Sequence, residues 1–211
     1  MTHRFREPFN GFSHLFGAAL ACGGVVWMMQ HVAANSDKMA SVIVYGFSLI
    51  AVFLASAAYH LWDGTQKMIQ RLQKLDHAAI YLVIAGSYTP ICYNVLTSSW
   101  RLWLLAIIWV MALAGIIYKL LFLREPGIYS LLYYLAMGLL GLTAVPELIG
   151  QLPESAAQLL LIGGGSLIIG ALVFGLEKPN LHRFFGHHEL WHVFVLIGCG
   201  FHFVAIAHCI L

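Results

Sequence analysis

The chain has 211 residues, 61% of them hydrophobic and 9% charged, with a mean hydropathy of +0.83. A soluble domain carries about 25% charged residues, so these charges cannot cover a water-facing surface and a soluble globular fold is excluded. A net charge of +2 is too small for nucleic-acid binding, and 11 histidines stand out against nine acids.

In chain order, a polar opening with His3, Arg4, Arg6 and Glu7 leads into a first apolar run at residues 11–34. No small-residue cleavage site follows that run, so it reads as a retained helix and not as a signal peptide. Further apolar windows fall at 39–62, 75–96, 100–123, 128–148, 156–176 and 188–210. Each is about the 20 residues a helix needs to cross a bilayer. The breaks are polar or carry glycine and proline: Asn35-Ser36-Asp37-Lys38, Asp63-Gly64-Thr65, Thr97-Ser98-Ser99, Arg124-Glu125-Pro126-Gly127, Gln151-Leu152-Pro153-Glu154 and Glu177-Lys178-Pro179-Asn180. The expected fold is all-α, a single polytopic domain of seven transmembrane helices over residues 1–211. Cys22, Cys92, Cys199 and Cys209 form no paired motif and read as small buried hydrophobes.

Basic residues set the expected direction. Arg4, Arg6, Lys67, Arg71, Lys74, Lys119, Arg124, Lys178 and Arg183 fall on one side, with Lys119 expected to snorkel to it, and only Lys38 and Arg101 on the other. That bias predicts a cytoplasmic N-terminus and an outside C-terminus, the reverse of heptahelical G-protein-coupled receptors.

With direction assigned, polar residues can be placed by depth. His60 falls in the last turn of the second helix, with Ser56 one turn deeper on the same face. Asp76 and His77 are expected in the first turn of the third helix. His188 and His192 share a face at the start of the seventh. Three imidazoles at one depth suit a zinc ion with its fourth position left to water, the catalytic pattern. His60, His188 and His192 are the expected ligands. Asp76 would hydrogen-bond the water or a ligand imidazole, and Ser56 would support from behind. His14 and His77 are weaker candidates. His188-Glu189-Leu190-Trp191-His192 also matches the H-E-x-x-H protease signature. Glu189, however, points about 100° from His188 on a helix, and a soluble zincin domain cannot be built from this chain.

Several strings taken together carry a family resemblance: Ser56-Ala57-Ala58-Tyr59-His60, Leu75-Asp76-His77, Gly86-Ser87-Tyr88-Thr89-Pro90 and His188-x-x-x-His192, with Glu7-Pro8-Phe9-Asn10 and Ser13-His14 at the start. The set resembles the hemolysin III branch of the progestin and adipoQ receptor family, over essentially the whole chain. The resemblance implies zinc on His60, His188 and His192, an acidic partner at Asp76, a serine at Ser56, and the same N-inside, C-outside topology in a bacterial inner membrane. Glu189 is not one of that pattern's positions. The family's similarity to alkaline ceramidases implies a zinc-dependent hydrolase of a lipid amide or related acyl bond at the cytoplasmic leaflet, with membrane lipids as partners and a lipid as substrate. Two alternatives stand beside it: a non-catalytic membrane-homeostasis sensor with structural zinc, and a pore-forming hemolysin-like protein. Against the pore, no helix carries a run of charges able to line one. Oligomeric state is left open.

Overall fold

The computed structural model describes residues 5–122 and 127–211. Readings that fall on His3, Arg4, Leu123, Arg124, Glu125 and Pro126 lie outside them. The described chain is helical: α1 (Pro8–Val32), α2 (Ser36–Leu61), α3 (Gln66–Asn94), α4 (Trp100–Leu121), α5 (Ile128–Leu139), a 3-10 segment (Leu140–Ala144), α6 (Val145–Leu148), α7 (Glu154–Leu176) and α8 (His187–Ile210). Local chemistry explains the boundaries. Pro8 occupies the first turn of α1, where a missing N–H costs nothing. The Asn35 side chain caps α2 by accepting from the Asp37 and Lys38 amides at 3.1 and 3.0 Å.

Among the described residues, six helical stretches are long and apolar enough to cross a membrane: α1, α2, α4, Ile128–Leu148, α7 and α8. Their outward faces are apolar, with Phe47, Trp103, Val110 and Leu161 each about two-thirds exposed. Such surfaces are compatible with lipid and not with water.

Two elements depart from the sequence expectation. The third helix begins at Gln66 and not near residue 75. Residues 66–74 are charged and so interrupt an apolar window, but they are good helix formers without glycine or proline. Asp76 and His77 therefore stand in the third turn of α3, about 15 Å from its start at 1.5 Å per residue, and not in the first. The fifth apolar run is also not one helix, because it breaks at Leu140–Ala144. Pro146 follows closely and has no N–H to give the ladder. Tyr88 of α3 repairs the break: its hydroxyl accepts from the Gly141 amide at 2.6 Å and lies 2.8 Å from the Met137 and Gly138 carbonyls.

The main core joins α1, α2, α3 and α8 through residues such as Ala21, Met28, Tyr45, Leu49, Phe53, Ala79 and Ile206. A second cluster joins α3, α4 and α5 around Tyr81, Ile108, Ala112 and Met137. α7 packs along α8 with small residues at the contact. A Cβ on Gly163 or Gly198 would lie 3.0–3.1 Å from the other's carbonyl oxygen, so glycine permits the approach.

α3 runs antiparallel to α2 along its length. Ser56 and His60 near the end of α2 act on Asp76 in the first half of α3. A Cβ on Gly86 would collide with Ser48 midway along. Asn94 at the far end of α3 donates to Ser41 at 2.9 Å, near the start of α2.

Candidate metal centre

Four helices bring their polar residues to one end of the bundle. α2 ends there, and α1, α3 and α8 begin there. His60 is the penultimate residue of α2, while His188 and His192 occupy the first two turns of α8. A nitrogen from each of the three imidazoles lies within 4.8 Å of the others. His60 stands edge-on to both partners, with ring centroids 5.2 Å from His188 and 4.6 Å from His192. His60 and His192 are fully buried, and His188 is half-buried.

This donor set fits a metal ion. Zinc takes imidazole nitrogens at about 2.0–2.1 Å, which in a tetrahedral site sets donors about 3.4 Å apart. The triad needs to close by little more than an ångström at its widest, a movement within reach of side-chain rotation. The three donors are all neutral nitrogen ligands, the set that zinc accepts with one position left open.

Asp76 is buried beside this triad, 9% exposed, with the Ser56 hydroxyl within reach of its carboxylate and the His60 ring acting on it. It is not among the clustered donors. The structure thus places His60, His188, His192, Asp76 and Ser56 together.

The three weaker candidates separate. His14, buried in the second turn of α1, packs on His192 with centroids 4.1 Å apart, and its Nε2 lies 3.1 Å from His192 Nδ1. His77 lies outside the triad, and its carbonyl accepts from the Tyr134 hydroxyl at 3.1 Å. Glu189 is a fastening group. Its carboxylate accepts from the Gly186 amide at 2.8 Å and from Asn10 at 3.2 Å, which caps α8 and ties it to α1. Lys119 does not snorkel outward. It is 2% exposed, and its ammonium has no hydrogen-bond partner among the described residues.

Glu7 was not foreseen from the sequence. Its carboxylate lies 2.6 Å from His60 Nδ1, and its amide donates to the His60 carbonyl at 2.9 Å. Arg6 also approaches it, at 3.2 Å. Burial pushes this carboxyl up, but its contacts with His60, Asn10 and Arg6 outweigh burial and hold it down at about 2. The available signal was an acid at the N-cap of the first helix, just before Pro8, inside a segment that reads as a polar leader.

A hollow of about 330 Å³ opens beside the cluster under the α7–α8 loop, and its lining includes Asn180, Arg183, Phe185, His187 and His188. His188 belongs to both, so the hollow reaches the triad.

The family model described as haemolysin-III related matches residues 2–203. The chain belongs to the haemolysin-III family. Among curated haemolysin-III proteins, it is 35% identical to Hemolysin-3 of Bacillus cereus over 214 residues, covering 100% of this chain and 95% of that one. It is 30% identical to the Hemolysin-3 homolog of Bacillus subtilis (strain 168), covering 97% of this chain and 94% of the relative. Similarity extends at 26% identity to the human Monocyte to macrophage differentiation factor, over 96% of this chain and 83% of that protein. With six apolar spans, this haemolysin-III member is a multi-pass protein of the bacterial membrane.

Proposed function

We propose that the protein is a zinc-dependent hydrolase of a lipid amide or related acyl bond, with its site at the cytoplasmic leaflet. The observation that carries this reading is the convergence of three buried imidazoles, His60, His188 and His192, beside a buried carboxylate that is not a ligand. A purely structural zinc site is closed by four protein ligands, whereas a triad with an open position is the catalytic pattern. His60, His188 and His192 would hold the ion, which when bound would supply Lewis-acid polarisation of the scissile carbonyl and a more acidic water. Asp76 would act as the proton acceptor or water-orienting group beside the ion held by His60, His188 and His192. The Ser56 hydroxyl, one turn below His60, stands beside the Asp76 carboxylate and favours its charged form. The hollow under the α7–α8 loop admits the polar part of a lipid, with Arg183 and His187 on its wall and His188 at its inner side.

The reading includes seven spans, with the N-terminus inside. α3 carries too many polar residues to qualify by hydropathy, but its contacts accompany α2 from Ser56 to Ser41. Arg6, Lys67, Arg71, Lys74, Lys178 and Arg183 gather at the end that holds the triad, against Lys38 and Arg101 at the other, which supports a cytoplasmic site.

A direct test incubates zinc-loaded protein with ceramides and other N-acyl lipids and measures free fatty acid. Release above that of a His188→Ala/His192→Ala variant is expected, and equal release would overturn the hydrolase reading for those lipids. Metal content comes first: less than about half an equivalent of zinc, unchanged by His60→Ala, removes the metal basis, since three ligands with an open position hold one ion. The Hemolysin-3 name of the Bacillus relative motivates a lytic reading, for which liposome flux is the readout. Flux that survives His192→Ala would favour that reading over the hydrolase.

A further inference from the structure

We infer that the N-cap and first two turns of α1 form the outer support of the metal centre, with Glu7 positioning His60 and His14 positioning His192. The inference rests on the metal reading above and assigns roles to two residues that are not themselves ligands.

A ligating imidazole must be neutral and must present one bare nitrogen, so its other nitrogen carries the proton and needs an acceptor. At His60, the Nδ1 lies 2.6 Å from a Glu7 carboxylate oxygen, which can only accept. The proton therefore sits on Nδ1, and Nε2 is the nitrogen left for the metal. At His192, the Nδ1 faces His14 Nε2 at 3.1 Å, and one proton serves that contact. With His192 as donor, its Nε2 is bare and ligation-competent. With His14 as donor, His192 carries its proton on Nε2 and cannot ligate. His14 Nδ1 is buried without a partner among the described residues, so no second contact dictates its tautomer. Metal binding at His192 then selects the state in which His14 accepts.

The two supports come from the N-cap and the second turn of α1, seven residues apart. Three further contacts hold that stretch. The Glu7 amide donates to the His60 carbonyl at 2.9 Å, and Asn10 reaches Glu7 and Glu189 at 3.2 Å each. α1 thereby clamps the end of α2 to the start of α8, the two elements that supply the triad. Loss of an outer partner of a ligating histidine typically weakens metal affinity about 10–100-fold.

The test uses the purified full chain in detergent, stripped of metal and titrated with zinc against a chromophoric chelator, with cobalt absorption as a second readout. Glu7→Gln keeps the size of the side chain and removes its charge, and His14→Phe keeps the ring and removes the acceptor. Each is expected to weaken zinc binding about 10–100-fold and to alter the cobalt d–d bands, while the metal-free proteins melt as wild type does. Unchanged affinity and spectrum in both variants, with binding abolished by His60→Ala and His192→Ala, would overturn the inference and leave the metal reading intact. Metal-free variants that melt well below wild type, with cobalt bands unchanged, would overturn it too and make the two residues packing groups. A wild-type chain that binds neither metal removes the metal reading itself, a result distinct from the other two.

Discussion

The α1, α2, α3 and α8 side of the bundle and the α4 to α7 side solve the same problem of lying in lipid in different ways. Of the ten buried polar residues among those described, eight (Asn10, His14, Ser41, Ser48, Ser56, His60, Asp76 and His192) belong to the first group, and Lys119 and Ser166 to the second. The first group also holds the largest apolar core. In the second, α5 breaks into a 3-10 segment. A buried polar group in a membrane protein needs partners held at fixed distance, because water cannot replace them. The side with the site is therefore also the side with the packing, whereas the other side presents apolar surface to lipid and has little to hold in register.

The sharpest break in this comparison is the triad. His192→Ala is expected to lower zinc affinity by about three orders of magnitude, since ~10–16 kcal/mol of structural zinc binding is shared among the ligands. Equilibrium dialysis with metal analysis measures it, and Ser166→Ala on the other side should leave affinity unchanged. Asp76→Asn comes next. It should cut lipid-amide hydrolysis about 10²–10⁴-fold while bound zinc stays stoichiometric, which separates proton transfer from ligation.

Packing offers a milder contrast. Leu49→Ala opens a cavity in the main core at a residue 3% exposed, and such changes cost about 2–5 kcal/mol. Leu172→Ala on α7 removes a side chain 53% exposed to lipid and should stay within about 0.5 kcal/mol. Reversible unfolding in mixed micelles compares the two, and equal losses would contradict the division. A smaller loss than that of Leu49→Ala belongs to Tyr88→Phe, which strips the hydroxyl from the Gly141 amide and its neighbouring carbonyls. It should cost about 1–2 kcal/mol and raise amide exchange around residues 137–144, with zinc affinity unmoved.

Much of this was legible in the residues themselves. Apolar length identified the membrane class and six of the spans, because lipid tolerates only helices whose backbone is satisfied internally. The four-residue spacings Ser56–His60 and His188–His192 set each pair on one helix face, and both pairs converge in the fold. The charged first turns of α3 misled the reading for a physical reason: hydropathy reports where lipid begins, whereas a helix continues wherever its backbone can keep bonding. The break at Leu140–Ala144 escaped notice because Tyr88, more than 50 residues earlier in the chain, satisfies it.

By itself, then, the sequence determined the solvent, the helical period and the residue types able to hold a metal, since these follow from local composition and spacing. Only the tertiary structure decided which partners those residues face. Glu7 and Glu189 are both acids near histidines, yet Glu7 meets the His60 ring while Glu189 caps its own helix and holds Asn10. Lys119, near a helix end, turned inward and not to the headgroups. The direction of a side chain across a helix–helix contact depends on how two faces pack, and no single segment carries that information.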